Sequence, residues 1–371
     1  MSYWKKIGFL ASFSIPFLIL SGFYVPEQPI TFLSAPYAYL VIPVIDYLLG
    51  KDRNNVFKEN FEELVNERYF DILVYAHVYI QYFLLGWGLY VLSSYDLSNH
   101  QIIGLIVGQG IYSGTIINVA HELGHRKSKW AQWHARVALV SVWYHHFTIE
   151  HNRGHHVRVA TPEDPATSRY NETLYHFWWR SITGSFRSAW QIQSCLLQKE
   201  GKTVWSFKNP MLIGFLATPT LFTVALLLVN YFSGSIVHGQ FQFLFIQALV
   251  AILLLEAVNY IEHYGMLRQK LANGRYEKVN PLHSWNANHF FSNLILFNLQ
   301  RHSDHHAYAS RPYQVLRHFD ESPQMPFGYP LMIIMSLFPP LWFKVMNQKL
   351  EKWKEGAADA DFIQSVVRGY A

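Results

Sequence analysis

From Asn209 to Leu255 the chain contains no Asp, Glu, Lys or Arg. A helix rises about 1.5 Å per residue, and crossing a hydrocarbon core of about 30 Å takes about 20 apolar residues. The stretch is therefore long enough for two crossings. Lipid offers backbone groups no partners, so only a helical hairpin satisfies it, broken near 233–239. Spans are expected at 209–232 and 241–260. Four further windows meet the same criterion, at 7–24, 28–45, 72–95 and 97–120. Hydrophobic residues make up 51% of the 371-residue chain and charged residues 15%, where a soluble chain carries about 25%. One integral-membrane domain over 1–371 is the reading that fits.

The connections set its orientation. Lys5 and Lys6, the segment with Lys51, Arg53, Lys58 and Arg68, the stretch 126–129, and Arg268 with Lys270 are basic. The turns at 25–29, 95–100 and 232–240 contain no Lys or Arg. By the positive-inside rule both termini and the polar segments 121–208 and 261–371 are expected in the cytoplasm, in a bacterial inner membrane. The start resembles a signal peptide, but no small-residue cleavage site follows the apolar run, so it is read as the first span. Window 137–144 is too short to cross. Window 326–343 carries Pro326, Pro330, Pro339 and Pro340, which break a helix, and is expected to lie on or dip into the interface.

Net charge is +5 without a like-charge run or basic stripe, which gives nucleic-acid binding no support. Cys195 is the single cysteine, which excludes an internal disulfide and a thiolate-bound iron–sulfur site in this chain. Any electron carrier must then be a separate protein.

Nine of the nineteen histidines fall in four tight groups: His121 and His125; His151, His155 and His156; His263; and His302, His305 and His306. Residues four apart share a helix face, so His121 with His125, and His151 with His155, are each expected to bind one metal. His302 would join His305 or His306. All four groups fall on one side of the predicted membrane, and nine imidazoles exceed the needs of one ion. Two metals are implied, with iron, copper, zinc and nickel all compatible with imidazole ligation. His121-Glu122-x-x-His125 alone would suit a zinc peptidase, but the other three groups have no role there. Glu122, Glu150, Glu262 and Asp304 sit beside the groups and are expected to orient ligand rings by accepting their free N–H. His77, His100, His134, His176, His238 and His318 read as structural. His145, His146, His283 and His289 are intermediate, with His289 a candidate supporting residue. Glu256, an acid inside the sixth span, is a bundle-facing or functional position.

Read in order, HELGHR (121–126), EHNRGHHVRVATPEDPATSR (150–169), NYIEHYG (259–265), SWNANH (284–289) and LQRHSDHHA (299–307) closely resemble the integral-membrane alkane 1-monooxygenase family. The resemblance covers nearly the whole chain. It implies an all-α membrane protein, a six-helix bundle under a cytoplasmic helical cap, with two non-haem iron ions on nine histidines. Carried over by motif, these are His121, His125, His151, His155, His156, His263, His302, His305 and His306. It also implies hydroxylation of the terminal methyl of an n-alkane by O2, with electrons from rubredoxin and its reductase. Aligned on Pro43 and Asp46, Ala38 falls where the family often places a bulky residue that stops the substrate tunnel. A small residue there implies room for longer chains. The related alternatives are hydroxylation of another terminal methyl and fatty-acyl desaturation; a metal-transfer protein is the alternative from another class.

Overall fold

The computed structural model describes residues 1–25, 31–234 and 238–356. The expected turns at 25–29 and 232–240, the start of window 28–45, the side chain of His238 and the end of segment 261–371 lie in whole or part outside them. Among the described residues the architecture is helical, with isolated bridges and no strand.

Five helices are long and apolar enough to cross a membrane: α1 (Tyr3–Phe23), α3 (Arg68–Ser94), α4 (Asn99–Gly124), α8 (Pro210–Ser233) and α9 (His238–His263). Between the first two lies α2 (Ser34–Leu49), apolar but shorter than the other five. Window 28–45 is thus a shorter element than the sequence suggests, and it is loosened by a π-helical stretch, Tyr37–Val41. Beyond the spans come α5 (Lys129–Val140), α6 (residues 147–158), α7 (Leu174–Lys199), α10 (His302–Ala307), α11 (Tyr329–Ser336) and α12 (Pro339–Gly356). Window 326–343 folds as α11 and the start of α12, interrupted before Pro339 as its prolines require.

Burial divides the spans into two kinds. Most of α4 is buried, whereas most of α8 faces outward, with Ile213, Phe215, Leu216 and Leu227 exposed. Ser98 starts α4 with a reciprocal cap shared with Gln101. Small residues then let α9 approach it closely. A Cβ at Gly110 would stand 2.6 Å from Cβ of Val250, so only glycine fits. Polar side chains inside the bundle satisfy one another: Gln109 donates to Gln81 at 3.0 Å, and Ser113 donates to Gln247 at 2.5 Å. This arrangement holds the end of α4 and the end of α9 side by side, and both ends carry histidines.

The chain after α9 closes over that end. Asp46, at the end of α2, accepts from the backbone N–H groups of Phe291 and Ser292 at 3.0 and 2.9 Å. Arg301 is fully buried and donates to the carbonyls of Leu316, Asp52 and Asn54. It fixes the start of α10, whose first residue is His302. A second core of Tyr260, Tyr264, Trp285, Tyr329, Trp342 and Met346 backs this layer.

Candidate metal centre

The nine histidines of the four sequence groups meet in two adjacent sets, each able to hold a metal ion. His121, His125, His151, His156 and His305 form one; His155, His263, His302 and His306 form the other. The ligating atoms within each set lie within 4.8 Å of one another. Several ring nitrogens face each other directly: His121 Nε2 and His305 Nε2 at 2.9 Å, His151 Nε2 and His156 Nε2 at 3.0 Å, His302 Nε2 and His306 Nε2 at 2.9 Å. Nitrogens bound about 2.1 Å from one ion at right angles stand about 3 Å apart. Facing lone pairs with no cation between them would repel, so the donor set fits a metal. The two sets touch where the His156 and His306 rings come to 4.5 Å.

One pairing differs from the expectation. His151 and His155 belong to different sets, and His151 shares its set with His156. The cause is local: residues His151–His155 form a π-turn in which the His156 N–H reaches the His151 carbonyl. A π-turn places residues five apart on one face, where an α-turn would align four. Likewise His302 joins His306, four residues on, while His305 points into the other set. A single helical turn thereby supplies both sets.

Burial keeps these rings neutral, the form that ligates. It lowers His125 to about 3, and pushes His151, His156, His302, His305 and His306 well below the usual histidine range, reinforced by neighbouring imidazoles.

The acids fall differently from the expectation. Glu122 pairs with Arg126 at 3.1 Å, Glu150 with Arg158 at 2.6 Å, and Asp304 with Arg317 at 2.9 Å, so these three hold arginines rather than imidazoles. Burial lifts Glu150 to about 7, partly offset by Ser188 and Arg158. Glu262 does meet a histidine, but at the His302 Nε2 that faces its own set, 3.1 Å away. It lies on the ligand side, not behind the ring. The acid behind a ring is Asp164, whose Oδ2 is 2.8 Å from His155 Nδ1 and which also accepts from Thr167 at 2.6 Å. Burial would raise its carboxyl, but His155 and Thr167 outweigh that and hold it low. Asp164 stands nine residues after His155 and beside no histidine in sequence, so adjacency does not point to it; the signal it offers is an Asp-Pro step in the stretch Thr161–Thr167.

Of the other histidines, His77 bonds Tyr112 and Ser12, His134 bonds Tyr79, His176 bonds Glu172 and His318 bonds Asp320, all structural contacts. His283 meets Glu277 at 3.2 Å. His289 bridges to Lys51 and starts the short helix Phe290–Ile295, away from the ring contacts of the nine. His145 and His146 are buried, and burial lowers them to about 4 and about 3, for His145 partly offset by the Met211 backbone. Glu256 accepts from Tyr144 at 2.6 Å and Ser181 at 2.5 Å, which locates the partners of the acid in α9.

An apolar cavity runs toward the centre from within the bundle. Ala38, Tyr39, Ile42, Ile111, Leu254 and Leu255 line it, and its lining also includes Asn118 and Val258, about one helical turn before His121 and Glu262. Ala38 is buried on the π-helical stretch of α2.

Comparison with known proteins matches residues 100–335 to the fatty acid desaturase family. The chain is 40% identical to an alkane 1-monooxygenase of Acinetobacter baylyi, over 96% of this chain and 88% of that one. It is 44% identical to an alkane 1-monooxygenase of Pseudomonas putida, over 89% and 80%. This chain belongs to the alkane 1-monooxygenase family. A more distant similarity, 27% identity over 69% of this chain, joins it to the hydroxylase component of a xylene/toluene monooxygenase of Pseudomonas putida.

Proposed function

We propose that the chain is a membrane hydroxylase that uses two non-haem iron ions to place one oxygen atom of O2 on the terminal methyl of a medium- to long-chain n-alkane. The convergence of nine buried imidazoles into two touching sets carries this reading. His121, His125, His151, His156 and His305 would hold one iron, and His155, His263, His302 and His306 the other. Bound iron would supply the oxidising power that an unactivated methyl group demands.

The protein's own share is positioning and exclusion of water. Asp164 holds the His155 ring by its Nδ1 and so directs Nε2 inward. The cavity walls carry no formal charge, so an alkane chain gains by leaving water to fill them and loses no apolar surroundings on entering from lipid. A narrow bore that ends near Asn118 and Val258 would present only the chain's end to the irons, which accounts for terminal selectivity. Ala38 lies on the wall of this bore. Ala38→Trp is expected to shift the product profile toward shorter alkanes; an unchanged chain-length profile would sink that role.

Six crossings, with α2 as a short sixth, and a cytoplasmic histidine end in the inner membrane are supported by the placement of basic residues. The donor we infer is rubredoxin with its reductase; Cys195, the single cysteine of this sequence, cannot by itself hold an iron–sulfur centre. Reconstituted protein supplied with rubredoxin, reductase, NADH and mixed alkanes is expected to yield 1-alkanols. Iron at two per chain without any 1-alkanol would overturn the reading.

A further inference from the structure

α7 is as long as a span but stands among the connecting segments, carrying Arg180, Arg187 and Lys199. Its surface has three sides. Leu174, Phe177, Ser181, Ser185 and Ser188 are buried against the bundle. At 100° per residue, Tyr175, Trp179, Ile182, Phe186 and Trp190 fall in one stripe about 80° wide. That stripe faces outward: Trp179 is 74% exposed and Tyr175 53%. His176, Arg187 and Gln191 form an exposed polar side next to it.

The stripe continues at both ends. Trp190 packs against Trp205 at 5.2 Å, and Trp205 and Phe207 are among the most exposed aromatics of the molecule, at 78% and 80%. A groove lined by Phe186, Trp190, Trp205 and Phe215, whose lining also includes Arg187 and Gln191, leads from there onto the outward face of α8. At the other end the Tyr175 hydroxyl donates to the Leu337 carbonyl at 2.8 Å, beside exposed Phe338 and Leu341. Trp178 donates to the carbonyl of Leu253 at 3.0 Å, so α7 lies across the outer part of α9 near its histidine end.

Exposed aromatic surface of this extent marks an interaction site. Its continuity with the lipid-facing side of a span identifies the occupant. Tryptophan and tyrosine settle where acyl chains give way to headgroups, and a helix with one apolar and one cationic exposed side lies in that plane. We propose that α7 and the turn 203–208 lie flat in the acyl–headgroup boundary of the bilayer, as an in-plane anchor at the histidine end of the bundle. The apolar stripe faces the acyl chains, while Arg187 and Gln191 face headgroups and water. This refines the expectation that segment 121–208 lies in the cytoplasm.

Spin labels test it in the metal-loaded full chain, reconstituted in phosphatidylcholine/phosphatidylglycerol vesicles. In a Cys195→Ser background, single variants Trp179→Cys, Phe186→Cys, Arg187→Cys and Gln191→Cys are labelled, and collisions with O2 and with a water-soluble nickel chelate are compared. O2 is expected to dominate at 179 and 186, and the chelate at 187 and 191. Chelate access at all four positions would overturn the proposal, as would a pattern without the two-sided alternation. If a variant loses its metal, bromine-labelled lipids offer a second reading on otherwise unaltered protein. Quenching of tryptophan fluorescence is expected to fall in Trp179→Phe with Trp205→Phe; quenching unchanged by that pair would equally overturn it. Protection of the stripe by an added soluble protein, without lipid contact, would assign it to a protein partner and reject the bilayer.

Discussion

The two histidine sets differ in their acidic neighbours although they are built from the same side chain. Among the described residues, the acids within hydrogen-bonding distance of the nine imidazoles are Asp164 and Glu262, and both serve the four-histidine set. The five-histidine set is bounded instead by neutral rings, with Phe147 stacked on His151 at 4.8 Å. A cation in the four-histidine set gains Coulomb attraction from the buried Asp164 carboxylate, which His155 and Thr167 hold low. One in the five-histidine set relies on the number of its donors. The same ligand type thus builds two inequivalent places, with tighter retention expected where the acids are.

The largest break in this comparison comes from removing a ligand. His263→Ala is expected to abolish turnover and leave about one ion per chain, because three imidazoles cannot close the four-histidine set. Metal analysis of folded protein checks it, and two retained ions would contradict the assignment. Asp164→Asn should act more mildly. It keeps the ring in place but weakens its acceptor, so activity or metal affinity is expected to fall about 10- to 100-fold. A chelator titration should show the loss at the four-histidine set, erasing its advantage over the other.

Smaller effects separate acid unfolding from acid release of metal. His145 and His146 stand outside both sets, and burial lowers them to about 4 and about 3. An unfolded histidine titrates near 6.5, so below that pH the unfolded chain takes up protons that the folded chain refuses. Their contribution is fully present above about pH 6.5 and is lost as pH falls toward 4 and 3. His146→Gln is expected to flatten this acid limb in a pH series of thermal unfolding, with metal content unchanged at neutral pH. The smallest effect belongs to Arg53→Ala, which removes a surface pair with Asp320 at 3.4 Å. With both partners about two-thirds exposed, it should change stability by no more than about 0.5 kcal/mol and leave the metal untouched.

Much of the fold was legible because lipid imposes a simple rule on sequence. Charge-free windows matched, within a few residues, five helices long and apolar enough to cross a membrane, while α2 begins and ends four to six residues later than window 28–45. The shortness of α2 was not legible, since hydropathy cannot see a π-turn at Tyr37–Val41. The nine histidines were legible from type and grouping, as was the structural role of His77, His134, His176 and His318.

The roles of the acids were not. Glu122, Glu150 and Asp304 adjoin histidines in sequence, yet each turned to an arginine: Arg126 one helical turn on, Arg158 across the π-turn, and Arg317 from the loop after α10, the last two brought close by the tertiary fold. Asp164 reached His155 because the loop 159–168 folds back on α6.

By itself the sequence determined the membrane frame and the inventory of metal donors, because both depend on composition within short windows. Only the tertiary structure decided how those donors divide. The division rests on one π-turn and on the seating of α10 by buried Arg301, which set ring directions over a few ångströms. Spacing along a chain cannot fix such directions when the helix period itself changes from four to five residues.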